Sequence, residues 1–370
     1  MTTAPHAPGT PYRVGLLGLG GISRAHLRGY EAPEQAGRIS VVAGADVSAD
    51  ARERFAQETG VERVYADFRE LLERERPDIV SVCTWPPLHP EMVEAACVAG
   101  VKGIVCEKPM AVDLAGCDRM LAAAERAGTL LVVGHQRRLQ AKFVRARALI
   151  EEGAIGEPEL LCGIAGGDLL TDGTHTVDAL RFFAGDAEVA WVMGSVDPRP
   201  REVREAMVGR VGYRAATPGE RFTTRYGHAV ESAALATLCF ADGVRASLEL
   251  GACARPGYQR FILYGTEGTI RVSGDRPAED EPLLRVWRKG GAGGEVIEGV
   301  GESNGFAREI TLLLDALEGG PPHPLDGRAA RKTEEVLMAV FESARRPGRV
   351  ELPLRLSHSP LEELLDRQGA

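Results

Sequence analysis

The chain has 370 residues, more than a single hydrophobic core ordinarily supports, so its length points to two domains. With 44 Lys plus Arg against 53 Asp plus Glu, the formal net charge is −9, which offers no basic footprint for a nucleic-acid backbone. The seven cysteines are odd in number and include no C-x-x-C pair, so they suggest neither a disulfide framework nor a zinc or other metal site and fit reduced thiols in cytosol.

The opening MTTAPHAPGTP has no basic residue before Arg13 and no apolar stretch, so it reads as a disordered lead rather than a secretory signal. No apolar run approaches the roughly 20 residues that span a bilayer. The expectation is a cytoplasmic protein without a membrane partner. From residue 12 the apolar runs YRVGLLG, ISVVAGAD, DIVSVCT, GIVCE and TLLVVG alternate with helical patterns such as ADARERFAQETG and LAGCDRMLAAAERAG. Strands that are apolar throughout are covered on both faces, so residues 12–134 read as an α/β domain with a doubly wound parallel sheet.

The first strand runs into VGLLGLGGIS, which sets Gly18, Gly20 and Ser23 in the G-x-G-x-x-G/A register, with Gly21 and Ile22 between them. Gly291/Gly293 and Gly299/Gly301 also form G-x-G triplets, but only the first follows a strand and opens a helix, the context that turns backbone N–H groups toward a pyrophosphate. The next strand ends in Asp46, 26 positions after Gly20. An acid there accepts hydrogen bonds from both ribose hydroxyls and repels a 2′-phosphate, which favours NAD over NADP, although Arg52 on the next helix could reach a phosphate. A helix-capping aspartate would occupy the same place. Farther on, GIVCEKPMA puts Glu107, Lys108 and Pro109 just past a buried strand, at the carboxyl edge where doubly wound sheets hold ligands. An ammonium there can stabilise negative charge on a substrate oxygen; a loop lysine paired with Glu107 is the bland alternative.

The βα rhythm stops near residue 135, where RRLQAKFVRARALIEEGAIGEP predicts one amphipathic helix closed by Gly153, Gly156 and Pro158. A second domain is expected over 135–370. Within it GGDLLTDGTHTVDALRFF sets Thr171, Asp172 and Asp178 around His175, all within one turn if the segment is helical from 171. His175 suits proton transfer near neutrality, and Asp172 could orient it or bind a substrate hydroxyl. A helix-capping Asp172 beside a buried structural histidine is the alternative. Residues 197–227, with seven arginines, and the glycine- and acid-rich 273–305 read as long loops. Between them SAALATLCFADGVRASLELGA and QRFILYGTEGTIRVSG read as antiparallel hairpins turning at ADG and TEG, so the second domain is α+β.

From about residue 12 to 355 the chain resembles the Gfo/Idh/MocA family, the glucose–fructose oxidoreductase and inositol dehydrogenase group. The motifs are GLGGIS, CTWPPLHPEMVEAACVAGVKGIVCEKP, RALIEEGAIGEP, DGTHTVDALRFFAGD, FADGVRASLE, ILYGTEGTI and ESARRPGRVELPL, in this order. The resemblance implies a Rossmann domain, a carboxyl-terminal domain with a large open, mainly antiparallel sheet, a nicotinamide cofactor in the cleft between them, and pairing through the open sheet into a homodimer or homotetramer. It maps the catalytic lysine onto Lys108 and implies cofactor contacts from Gly18, Gly20, Gly21, Ile22, Ser23, Asp46, Thr84, Trp85, His89, Glu107 and Lys108. In the family a Thr-Pro-Asn turn usually precedes the histidine matching His89; here the turn is Thr84-Trp85-Pro86, and Trp85 either stacks on a ligand or serves as core or lid. The family pattern D-x-G-x-H-x-x-D puts Thr171 where the first acid usually stands and displaces Asp172 by one. Arg138 matches a frequent arginine that binds substrate or forms an interdomain ion pair. The implied reaction is NAD(P)-dependent interconversion of a secondary alcohol and ketone on a sugar, cyclitol or sugar derivative, with Lys108, His175 and Asp172 catalytic and Arg138, Thr171, Asp172 and His175 at the substrate. A redox-neutral NAD-dependent glycosidase and a non-enzymatic nucleotide-binding sensor are the family's other outcomes.

Overall fold

A computed structural model describes residues 9–198, 212–214, 222–251, 259–274, 281–301 and 304–368. In chain order these form β1 (Tyr12–Leu17), α1 (Ser23–Gln35), β2 (Ile39–Ala45), α2 (Ala49–Thr59), β3 (Val64–Tyr65), α3 (Phe68–Glu75), β4 (Ile79–Val82), α4 (His89–Val98), β5 (Gly103–Cys106), α5 (Leu114–Ala127) and β6 (Leu130–Val133). There follow α6 (Ala141–Glu151), β7 (Pro158–Ala165), α7 (Thr174–Phe183), β8 (Val189–Asp197), β9 (Tyr213–Arg214), β10 (Thr224–Arg225), β11 (His228–Ala229), β12 (Ala233–Phe240), β13 (Arg245–Leu250), β14 (Gln259–Gly265) and β15 (Gly268–Ser273). The chain ends with β16 (Leu284–Arg288), β17 (Glu295–Val296), α8 (Gly305–Leu317), α9 (Gly327–Arg345), β18 (Val350–Glu351) and α10 (Leu361–Gln368). Two compact units result: the first ends at Gln136 and regains residues 304–331, and the second holds the remaining described residues.

In the first unit six parallel strands stand in the order β3-β2-β1-β4-β5-β6. Their register is level at one end: Leu17 lies opposite Ala45 and Val82, Val82 opposite Cys106, and Cys106 opposite Val133. The loops after β1, β2, β4 and β5 therefore leave from a common carboxyl edge, and β1 and β4 flank the switch point of the strand order. Beneath that edge Val80, Val82, Ile104, Cys106, Leu131 and Val133 pack with Met92, Val93, Met110 and Met120 into one apolar core.

The division differs from the expected single boundary near residue 134, because residues 304–331 join the first unit. On α8 Ile310, Leu313 and Leu314 are buried, and a Cβ on Gly103 of β5 would sit 3.2 Å from Leu313. The N–H of Val133 also donates to the Leu325 carbonyl at 3.1 Å. These contacts join segments far apart in the chain, which local patterning does not reveal.

The second unit carries, among the described residues, a nine-stranded sheet in the order β17-β16-β15-β14-β7-β13-β12-β8-β18 and a small sheet β11-β10-β9. In the large sheet only the β7–β13 pair is parallel. Gly163 of β7 lies against Thr176 and Leu180 of α7, where a Cβ would come within 2.7 Å of Thr176, so the bare backbone lets the helix dock on the sheet. Phe143, Phe183 and Phe261 join α6, α7 and β14 in a cluster with ring centroids 5.5 to 5.6 Å apart.

Three local expectations change. The single helix expected from Arg137 is a 3-10 turn, Gln136–Leu139, followed by α6 from Ala141. Residues 273–305 are not one loop: Leu284 and Val286 alternate inward and make β16 a strand paired with β15. Of the arginine-rich 197–227, the described portion supplies β9 and β10; residues 199–211, 215–221, the lead 1–8 and Cys253 lie outside the described residues. No helix among the described residues is long and apolar enough to cross a membrane.

Candidate active site

At the carboxyl edge of the first sheet, Gly18 turns the chain with φ +90°, and its N–H donates to the Ala45 carbonyl at 2.8 Å. A Cβ there would lie 2.8 Å from Thr84 Cγ2 and 2.9 Å from the Cys83 carbonyl, so only glycine fits. Around Gly20 and Gly21 the opposite holds, since a Cβ on either would meet nothing within 4 Å. Ser23 starts α1 and donates its hydroxyl to the Gly20 carbonyl at 2.6 Å, so the small third residue also closes the turn. Ile22, at the cap position, supplies no side-chain acceptor to the first N–H groups of α1.

Asp46 ends at the same edge. One of its oxygens accepts from Leu19 N–H at 2.7 Å and the other from Ser48 N–H at 2.8 Å, so the carboxylate is aimed by backbone. Arg52 donates instead to the carbonyls of Asp46 and Val47, at 2.7 and 3.2 Å. The cap of α2 is Ser48, whose side chain accepts from Ala51, not Asp46.

After β4, Trp85 is 55% exposed, which removes the core alternative for its ring. His89 is buried, with Nε2 3.1 Å from the Thr84 carbonyl and Nδ1 3.0 Å from that of Pro109. It pins the Thr84 loop to the turn that follows Lys108, and burial pushes its pKa down. Lys108 itself is half-buried. Glu107 is 4% exposed, bound to His26 at 2.9 Å and to the N–H of Lys108 at 3.2 Å. The side chains of His89 and Glu107, expected at the cofactor, thus enter internal hydrogen bonds and shape the edge from within.

In the second unit Asp168, not Asp172, is the helix cap. It accepts from Thr171 N–H at 2.8 Å and opens a π-helical turn, Leu169–Gly173, that leads into α7. The expected helix from 171 is therefore π-helical up to Gly173. Arg225 reaches both acids of this turn with Nη1, at 2.7 Å from Asp168 and 2.5 Å from Asp172. Burial opposes ionisation of Asp168, but Arg225 and His228 outweigh it and hold its pKa down to about 2. Thr171 Oγ1 lies 3.4 Å from His228 Nε2, and Glu231 accepts from Leu169 N–H at 2.5 Å. His175 is 6% exposed, in the first turn of α7.

Asp178 fixes α7 in the unit. Its two oxygens accept from Arg138 Nε and Nη2 at 2.7 and 2.8 Å, while Arg138 Nη1 takes both oxygens of Asp186 at 2.8 Å. Burial works against the Arg138 cation, but Asp178 and Asp186 outweigh it and raise its pKa. All three residues belong to the second unit, so the ion pair that holds Arg138 lies within one unit rather than between domains. The sequence reading missed His26, Asp168, Arg225, His228 and Glu231. A histidine at one-turn spacing after the glycine turn was the only local hint of the first, and the rest are joined across 57 to 62 positions. No group of three or more His, Cys, Asp and Glu able to hold a metal is gathered among the described residues.

Residues 12–135 match the family described as oxidoreductase family, NAD-binding Rossmann fold, and residues 163–271 match the GFO/IDH/MocA C-terminal domain. Myo-inositol 2-dehydrogenase of Thermotoga maritima is 26% identical over 333 residues, covering 85% of this chain and 91% of the relative. D-apiose dehydrogenase of Paraburkholderia graminis is 28% identical over 371 residues, covering 94% and 92%. The WlbA dehydrogenase of Bordetella pertussis, solved with NADH and UDP-GlcNAcA, shares the fold with a TM-score of 0.73 at 22% identity, over 93% of this chain and 99% of that one. With an NAD-binding Rossmann domain and the matching carboxyl-terminal domain in one chain, the protein is an oxidoreductase that belongs to the Gfo/Idh/MocA family.

Proposed function

We propose that the protein interconverts a secondary alcohol and a ketone on a sugar, cyclitol or sugar derivative, with NAD preferred to NADP, Lys108 holding the substrate oxygen and His175 exchanging its proton. The observation that carries this reading is the position of Lys108, two residues past β5 on the edge that also bears the glycine turn and Asp46. The open space over Gly20 and Gly21 and the uncapped start of α1 fit a pyrophosphate. When bound, the nicotinamide supplies the acceptor or donor of hydride. The Asp46 carboxylate suits ribose hydroxyls and opposes a 2′-phosphate, and Arg52 is already engaged with two carbonyls.

Lys108 Nζ donates to the substrate oxygen and offsets the charge that develops as its proton leaves. Nδ1 of His175 is buried, so Nε2 is the nitrogen that takes that proton and returns it in the reverse direction. Asp172, its side chain 27% exposed and gripped by Arg225, accepts from a second substrate hydroxyl, with Thr171 on the same turn. The names of the inositol and apiose dehydrogenases support the carbohydrate class. Exposed Met193, Leu235 and Tyr264 on β8, β12 and β14 support a homodimer or homotetramer formed through the large sheet.

The test is a panel of myo-inositol, D-apiose and common aldoses with NAD and with NADP, following NADH absorbance and product mass together. The expected result is one ketone or lactone-level product per NADH, with Lys108→Met lowering kcat by about 1000-fold or more. Turnover that survives Lys108→Met overturns the reading. So does product formed without net NADH, which is redox-neutral catalysis, or nucleotide affinity with no turnover on any member, which is sensing.

A further inference from the structure

Next to Lys108 the first unit buries a chain of polar side chains that the proposed chemistry leaves unused. The Tyr30 hydroxyl and His26 Nδ1 meet Ser81 Oγ at 2.9 and 3.0 Å, and His26 Nε2 meets Glu107 Oε1 at 2.9 Å. None of these four residues is more than 4% exposed. The other oxygen of Glu107 accepts the N–H of Lys108 at 3.2 Å. Three elements are thereby tied together: α1, which opens on the glycine turn, β4, and the end of β5 that leads into the lysine. A buried ion pair is a poor source of stability, because apolar residues of similar volume commonly do as well or better. Its geometry points to a different role.

We propose that His26 is a positioning residue for Lys108: as the counter-ion of Glu107 it balances that carboxylate from α1, so that Glu107 fixes the lysine's backbone without drawing its balance from the ammonium. This rests on the reading of Lys108 as the group that meets the substrate oxygen.

The surroundings leave His26 and Glu107 as the charged pair of this cluster. Burial disfavours the imidazolium, but Cys83 and Glu107 outweigh it and push His26 up to about 10; the Cys83 thiol adds charge only where it ionises, so near pH 7 the charge that faces the ring is Glu107. Burial likewise works against the Glu107 carboxylate, and His26, ahead of Lys108, brings its pKa below the ordinary value. The other titratable neighbours are pushed toward their uncharged forms. Burial first of all raises Tyr30, Cys83, Cys106 and Glu309, and burial lowers His89. Glu309, on α8, has neither oxygen within reach of a hydrogen-bond partner, which suits an uncharged acid. Without the His26 charge, the cation left to answer Glu107 is the ammonium of Lys108.

His26→Gln keeps a hydrogen-bonding side chain and removes the charge. Lysines reductively methylated with ¹³C-formaldehyde give a Lys108 signal, assigned by its absence in Lys108→Arg, that can be titrated with saturating NADH present. The expected change in His26→Gln is a rise of the Lys108 midpoint by about one pH unit. On the substrate found by the panel, kcat falls by about 10-fold or more while KM changes less than about threefold. In the unaltered protein ¹⁵N shifts should show the buried His26 ring still protonated at about pH 8, a measurement that stands even if the variant does not fold. A neutral His26 ring there, or an unchanged Lys108 midpoint in His26→Gln, overturns the proposal. Turnover that survives Lys108→Met would instead strike the role given to the lysine and leave the titration results standing.

Discussion

Asp172 reaches Arg225 because residue 167 has no side chain. Gly167 has φ +97°, and a Cβ there would lie 1.8 Å from the Asp172 carboxylate oxygen that Arg225 holds. Gly167→Ala therefore strains the backbone and evicts the carboxylate together, and the expected cost is about 2 kcal/mol or more, read as a thermal midpoint lowered by several degrees. Gly20→Ala makes the contrasting case, since nothing in the protein opposes its Cβ. That variant should keep the midpoint and lose NADH affinity by about 10-fold or more in a fluorescence titration. Equal midpoints for the two variants would contradict this account of Asp172. The contrast also marks what a single sequence discloses. Gly18, Gly20 and Lys108 were legible because strand, turn and helix follow one another within a few residues. Arg225 was not, because it stands in a stretch read as a loop, and its partners Asp168 and Asp172 lie 57 and 53 positions away.

Among the elements, the hairpins β12–β13 and β14–β15 were readable because alternating apolar residues meet at a glycine turn. Strand β16 was hidden, as only Leu284 and Val286 of its five residues are buried and the stretch around it is rich in glycine and acids. The turn Leu169–Gly173 could not be read as π-helical at all. A π turn holds one residue more than an α turn, so Asp172 does not stand to His175 as an i−3 neighbour on a regular α-helix would. The large sheet carries the element-scale prediction. Along β12, Ala234, Ala236, Leu238 and Phe240 are buried while Leu235 is 55% exposed on the other face, near Met193 of the adjacent β8. A charge at the centre of such a face opposes pairing of two copies. Leu235→Glu should shift the protein from dimer or tetramer to monomer in light scattering after gel filtration, with the thermal midpoint of its subunit retained. An unaltered protein that elutes as a monomer would remove the interface from this face.

For the molecule as a whole, the buried charges differ between the units, and so should the response of each to pH. In the first unit His26 is raised from an ordinary 6.5 to about 10, so its contribution is complete below 6.5 and is lost as pH rises through about 10. Glu309, raised well above 4.5 by burial and then by Glu107, acts in the same sense, since the folded state must hold its proton. In the second unit Asp168 is lowered from 3.8 to about 2, so its contribution is present above 3.8 and is lost as pH falls through about 2. Calorimetry at about pH 3, 5.5 and 9 should then lower the transition of the second unit at the acid end and that of the first at the alkaline end, and the first should also lose at the acid end the contribution of Glu107, held below 4.5 by His26. In His26→Gln the first transition should start lower at about pH 5.5 and fall less on the way to about pH 9. If the units melt together, the single endotherm should weaken at both ends, and the variant should reduce the alkaline part. An alkaline loss of the same size with and without His26 would mean that the pair on Glu107 is not the charge that stabilises this unit, and would leave Glu309→Gln as the variant that abolishes it.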